Sequence, residues 1–201
     1  MKGSMSYAII GLGKIGTAIA QAFADQAIEV AVAGRRPVDA LTAQIGPSLV
    51  PQRIEDAIKA DVVILAVPFG AHEDIARLAE SWQGKIVIDA MNAYGVPVTS
   101  LDGLPSSAAV AKAFPGAKLV KAFNHLPAAT LAQGPTTPHG GRRVVFVSSD
   151  DDAASASVSD LVDRLGFAPV ELGKIGEGGL LVQARGNTWA QLIFQDLVKF
   201  D

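Results

Sequence analysis

The stretch Ala8-Ile9-Ile10-Gly11-Leu12-Gly13-Lys14-Ile15-Gly16 decides the fold. An apolar run of strand type, Tyr7 to Ile10, leads into it. A helix opens from it, with Ile15, Ala18, Ile19, Ala22 and Phe23 spaced to share one face. Glycines at this spacing between a strand and a helix form the turn that carries a dinucleotide pyrophosphate. Gly11 permits the tight turn, Gly13 lets the main chain approach the phosphates, and Gly16 lets helix and strand pack closely. The free N–H groups and positive dipole end of the helix then face the phosphate charge. Leu12, Lys14 and Ile15 complete this cofactor-binding turn.

The end of the second strand points to the cofactor. That strand reads Glu29-Val30-Ala31-Val32-Ala33, and no carboxylate follows it. An Asp or Glu there would bind the ribose hydroxyls of NAD and repel a 2′-phosphate. Gly34, Arg35 and Arg36 stand in its place. A guanidinium grips a phosphate with two charge-assisted hydrogen bonds, so the expected cofactor is NADP(H).

Strand-length apolar runs alternate with helical periods along the chain. Strands are expected near 6–10, 29–33, 61–67, 85–89, 118–122, 143–148 and 168–171. Helices are expected near 14–26, 38–44, 53–59, 71–81, 106–114, 127–132, 151–165 and 188–199. Alternation of this kind predicts an α/β fold: a Rossmann-type, doubly wound, mostly parallel sheet. Val62-Val63-Ile64-Leu65-Ala66-Val67, apolar without alternation, fits a strand covered on both faces. Residues 5–201 read as one NADP-binding domain, with 142–201 as a C-terminal extension ending in a helix. Met1-Lys2-Gly3-Ser4 reads as a cloning remnant, with Met5 the natural start. The Gly- and Pro-rich segment Leu131 to Arg143 reads as a surface loop.

Composition narrows the partners. The chain has 201 residues, 49% of them apolar, enough for a substantial core. A net charge of −3 without a strong block argues against nucleic acid and anionic membrane. No apolar run is long enough to span a bilayer, and no secretion signal opens the chain. There is no cysteine, which fits a cytoplasmic setting and excludes thiolate chemistry.

In open α/β sheets, ligands bind beyond the carboxyl ends of the strands. Three further strand ends should therefore line the cleft. Ala66-Val67-Pro68-Phe69 would pass beneath the cofactor near its ribose and nicotinamide. Ala90 and Met91 adjoin the same ring, and Asn92 faces the substrate. Asn124-His125-Leu126-Pro127 completes the substrate side. His125 is the one acid–base candidate there, and its other reading is a structural imidazole. His72, His125 and His139 are scattered without ligand spacing, so no metal site is expected. Also missing are a Gly-x-Ser-x-Gly elbow, a phosphate loop ending in Gly-Lys-Ser/Thr, and the Tyr-x-x-x-Lys pair of carbonyl reduction. Few acids and bases suit a hydride passed between two flat rings held face to face.

Beyond these motifs the chain resembles the coenzyme F420-dependent NADP oxidoreductase family. The resemblance rests on Gly11 to Gly16, Gly34-Arg35-Arg36, Val63 to Pro68, Ser106 to Ala111, and Leu165-Gly166 through Leu172-Gly173. Lys118-Leu119-Val120-Lys121-Ala122-Phe123-Asn124-His125-Leu126-Pro127-Ala128-Ala129 is its most telling segment. The chain is also similar to the cytosolic reductase domain of six-transmembrane metalloreductases. The resemblance implies hydride exchange between NADPH and a deazaflavin or flavin, with Asn124 to Pro127 beside the acceptor ring. Asn124-His125 departs from the segment of deazaflavin-using members, which leaves the acceptor open between the two rings.

Two alternatives compete. An NADP-dependent reductase of another small substrate would continue with a helical domain for which 201 residues leave no room. An NADPH-binding redox sensor without turnover would need no proton donor. A homodimer is expected through helix 188–199. Trp189, Leu192, Ile193 and Leu197 share one face of that helix, Phe194 and Val198 extend the apolar surface to a second side, and Phe200 follows. The resemblance implies the same assembly.

Overall fold

The computed structural model describes residues 5–101, 103–183 and 196–200. Its first half alternates β1 (Tyr7–Ile10), α1 (Lys14–Asp25), β2 (Val30–Ala33), α2 (Asp39–Ile45), β3 (Leu49–Pro51), α3 (Ile54–Ala57) and β4 (Val62–Leu65). There follow α4 (His72–Ala76), β5 (Ile86–Asp89), α5 (Ser106–Ala113), β6 (Lys118–Ala122) and α6 (Ala128–Leu131). The chain then forms β7 (Arg142–Ser149), α7 (Asp152–Arg164), β8 (Ala168–Glu171) and β9 (Val198–Lys199).

The strands join in the order β3-β2-β1-β4-β5-β6-β7-β8, with β9 paired to β7. From β3 to β6 every pairing is parallel. β7 enters antiparallel to β6, β8 runs parallel to β7, and β9 is antiparallel to β7. The chain winds outward from β1 in both directions, so the strand order reverses between β1 and β4. That reversal opens a crevice at the carboxyl ends of the strands.

Each face of the sheet is sealed by its own core. Ile9, Ile64, Ile88 and Val120 meet Ile19 and Phe23 of α1 and Val158, Leu161 and Val162 of α7. Ile10, Val63, Leu65 and Val87 meet Ile75 of α4, Val110 of α5, and the Trp82 and Phe114 side chains. Neighbouring residues of β4 thus feed opposite cores, which is why its sequence is apolar without alternation. α7 is capped by Asp151, whose carboxylate accepts the Ala154 N–H at 2.8 Å. That bond, with Lys118 beside it, holds the Asp151 carboxyl below the usual carboxylate range.

Two short strands depart from the sequence expectation. β3 has three residues and ends in Pro51, which only an edge strand tolerates. The expected helix 188–199 lies largely outside the described residues, but its end is corrected: Val198 and Lys199 pair with Arg143 and Arg142 as β9. Arg143 anchors this tail. It is 1% exposed, and its Nε donates to Asp196 Oδ1 at 2.5 Å. Its other N–H groups reach the Gly134 carbonyl and Gln133 Oε1.

Candidate active site

Ladder bonds continue past the strand ends. Gly11 N–H donates to Ala33 O at 2.8 Å, Ala66 N–H to Ile10 O at 2.9 Å, and Ala90 N–H to Leu65 O at 3.2 Å. The glycine turn, segment 66–69 and segment 90–92 therefore leave the sheet side by side.

The three glycines are not equivalent. Gly11 has φ +98°, and a Cβ there would lie 2.5 Å from Ala66 O. A Cβ on Gly16 would lie 1.8 Å from Gly11 O. Around Gly13 a Cβ would meet nothing within 4 Å, and its φ of −78° suits any residue. Gly13 therefore keeps open a space that the fold itself does not fill. Above that space α1 begins without a side-chain cap and without an acidic residue in its first turn. Its first N–H groups are available to an anion. Arg35 and Arg36, just past β2, are exposed and pair with no other described residue. Turn, helix end and guanidiniums together fit a nucleotide carrying a 2′-phosphate.

The exposed members of the expected site are Gly13, Lys14, Arg35, Arg36, Pro68 and Pro127. Gly11, Leu12, Ile15, Gly34, Ala66, Val67 and Asn92 are half-buried. Phe69, Ala90, Met91, Asn124, His125 and Leu126 are buried beneath them, as is Gly16. Phe69 stacks at 4.9 Å on His72, whose Nδ1 pairs with the Phe69 carbonyl.

Asn92 and Asn124, expected on the substrate side, are tied together by their amides. Asn92 Nδ2 donates to Asn124 O at 2.8 Å, and Asn124 Nδ2 donates to Asn92 Oδ1 at 3.1 Å and to Val182 O at 2.7 Å. Val182 ends a 3₁₀ turn, Gly178–Val182. The next residue, Gln183, accepts the Ser106 N–H on Oε1 at 3.0 Å, at the start of α5. Phe123, immediately before Asn124, is held at φ +61°. A bulky residue in the left-handed region costs on the order of 1–3 kcal/mol and marks functional turns more often than plain ones.

His125 is 4% exposed, and its ring lies 4.7 Å from that of Phe146 on β7. Neither ring nitrogen has a hydrogen-bond partner among the described residues. Burial lowers its pKa to about 4, against a smaller opposing effect of the Val144 main chain. At neutral pH the ring is uncharged and closed to water.

The sequence places Asp89 and Lys121 at the start of the strand-end segments expected to line the cleft, and Ser107 in the segment 106–111, without assigning any of the three a role. Asp89 and Lys121, opposite each other in β5 and β6, form an ion pair at 2.9 Å, and Ser107 Oγ donates to Asp89 Oδ2 at 2.7 Å. The available signal was an Asp and a Lys inside otherwise apolar strands of a sheet covered on both sides. Among the described residues no cluster of three metal-ligating side chains occurs, and no helix is long and apolar enough to cross a membrane. Two surface hollows, of about 390 and 630 Å³, lie at the opposite, amino-terminal ends of the strands. Among the described residues, the buried polar side-chain atoms without partners belong to Ser106, Asn124 and His125, and none lines either hollow.

A family model described as "NADP oxidoreductase coenzyme F420-dependent" matches residues 6–93, the span from β1 through the loop after β5. The matched span is less than half of the chain. It holds the glycine turn, both arginines and the loop 90–92. Among curated proteins the chain is similar to metalloreductase STEAP3 of Rattus norvegicus, 31% identical over 170 residues. That match covers 83% of this chain and 33% of the rat protein, so the chain spans a third of that relative's length. A solved structure of hypothetical protein SMa0349 from Sinorhizobium meliloti is 39% identical. It superposes with a TM-score of 0.88, over 98% of this chain and 97% of its own. A candidate F420-dependent NADP reductase from Arthrobacter sp. fb24 is 28% identical, with a TM-score of 0.68 over 86% of each chain.

Proposed function

We propose that this protein, like the family whose model its first half matches, passes hydride between NADP(H) and a flat ring, a deazaflavin or a flavin, at the carboxyl ends of β4, β5 and β6. One observation carries the cofactor half: the space over Gly13 adjoins an uncapped helix end, with two unpaired guanidiniums at the next strand end. When bound, NADPH supplies the hydride. The chain's own part is to seat the pyrophosphate on α1, grip the 2′-phosphate with Arg35 and Arg36, and present a rigid floor to the ring. Pro68, Asn92 and Pro127 border the open side on which an acceptor would stack. His125 is buried in this region, and burial keeps its ring uncharged at pH 7, so any proton it gave would come from the neutral imidazole. A homodimer and a cytoplasmic setting belong to the same proposal.

Binding and turnover test the two halves separately. NADPH is expected to bind at least about tenfold more tightly than NADH, because charge-assisted hydrogen bonds to the 2′-phosphate are lost with NADH. Arg35→Ala with Arg36→Ala should erase that preference and leave NADH binding nearly unchanged. Equal dissociation constants in the wild-type protein would count against the cofactor half. Turnover of NADPH is then followed with deazaflavin, FMN, FAD and ferric chelates. Tight NADPH binding without turnover on any acceptor would favour the sensor reading.

A further inference from the structure

Asp89 and Lys121 are sealed inside the sheet where its carboxyl ends meet the crevice. Asp89 is fully buried and Lys121 is 2% exposed. Well-packed apolar residues are often at least as stable as a buried ion pair, so stability alone does not account for two charges here. What they hold is the loop 90–92. Lys121 Nζ donates to Met91 O at 2.7 Å, and Asp89 Oδ1 accepts the Met91 N–H at 2.9 Å. Both main-chain polar groups of Met91 are thus engaged by the pair. Asn92, the next residue, is clamped sideways to Asn124. The loop is fixed by charge from below and by amides from the side.

The geometry points to Lys121 and Asp89 as positioning residues for the nicotinamide half of the cofactor, with Ser107 holding the Asp89 carboxylate in place. The assignment rests on the functional reading above, in which the loop 90–92 borders the nicotinamide. Neither charged side chain reaches the crevice surface, so neither touches the ligand. They act through Met91 and Asn92. The adenosine half, at the glycine turn and Arg35–Arg36, makes no hydrogen bond to this network. Loosening the loop should therefore weaken only those ligands that carry the nicotinamide ring.

Calorimetric titration with NADPH and with adenosine 2′,5′-bisphosphate, which lacks that ring, tests the assignment. Lys121→Met combined with Asp89→Asn removes both charges without stranding either. This double variant should bind NADPH about tenfold more weakly and the bisphosphate within about twofold of wild type. Ser107→Ala, which keeps the pair, should show a loss of about threefold for NADPH alone. If the double variant does not fold, Ser107→Ala carries the test by itself. Equal losses for both ligands, or no loss for either, overturn the positioning role. Wild-type protein that binds neither ligand removes the functional reading and this role with it. Wild type that binds both, with variants that match it, removes this role only.

Discussion

Burial of its imidazole, with no side-chain partner among the described residues, makes His125 sensitive to acid. The unfolded chain protonates it near 6.5, whereas the folded protein keeps it neutral down to about 4. The unfolded state therefore binds the extra proton in this interval. The folded state has its full advantage above pH 6.5 and loses it as pH falls toward 4. The loss is on the order of 3 kcal/mol. Denaturant unfolding at pH 7 and pH 4.5 should show wild type losing more stability than His125→Leu. Parallel losses in both would mean the ring is not held neutral. The residue type was visible in the sequence; its environment was not, because Phe146 and Val144 reach it from β7. Asp89 and Lys121 stood at strand ends expected to line the cleft, but their pairing was not legible until the β5–β6 register set them opposite each other. The expectation for Arg35 and Arg36 needed no partner residue, since it rests on their position after β2.

At the scale of elements, the glycine turn separates folding from binding. Gly13→Ala adds a methyl group where the protein has nothing within 4 Å and where φ is ordinary. Thermal stability should stay within about 0.5 kcal/mol of wild type, while NADPH affinity falls because the methyl group occupies the pyrophosphate's approach. Gly16→Ala drives a methyl group to 1.8 Å from Gly11 O, and backbone must shift. It should cost about 1–3 kcal/mol in stability as well as binding. A Gly13→Ala protein that binds NADPH normally would move the pyrophosphate elsewhere. Long, strongly patterned elements such as β1, α1, β4 and α7 were legible because apolar period and burial coincide in them. β3 and β9 were not, since three and two residues carry no period. β9 exists through pairing with β7, far away in sequence, and the apolar spacing of 188–199 gave no hint of that.

The whole molecule is closed by its tail. Asp196→Ala strands the buried Arg143 guanidinium and should lower unfolding stability by about 3 kcal/mol. A loss under about 1 kcal/mol would mean that the Gly134 carbonyl and Gln133 suffice to hold it. Near the tail and the 3₁₀ turn, Leu180, Leu181, Leu197 and Phe200 remain exposed. Sedimentation at micromolar concentration should show a homodimer, and Leu181→Glu with Phe200→Glu should weaken it. A monomeric wild type would defeat that expectation.

The amide of Asn124 and the main chain of Ser106 are held by Val182 and Gln183, which lie far outside the span 6–93 that the family model matches. Under the proposed function, the dinucleotide grip lies wholly within that span, whereas part of the acceptor side is held from outside it. Drift or recombination in the later stretch can retune the acceptor while the dinucleotide grip is inherited unchanged. Such a chain is free to change its redox partner over evolutionary time without changing its source of electrons.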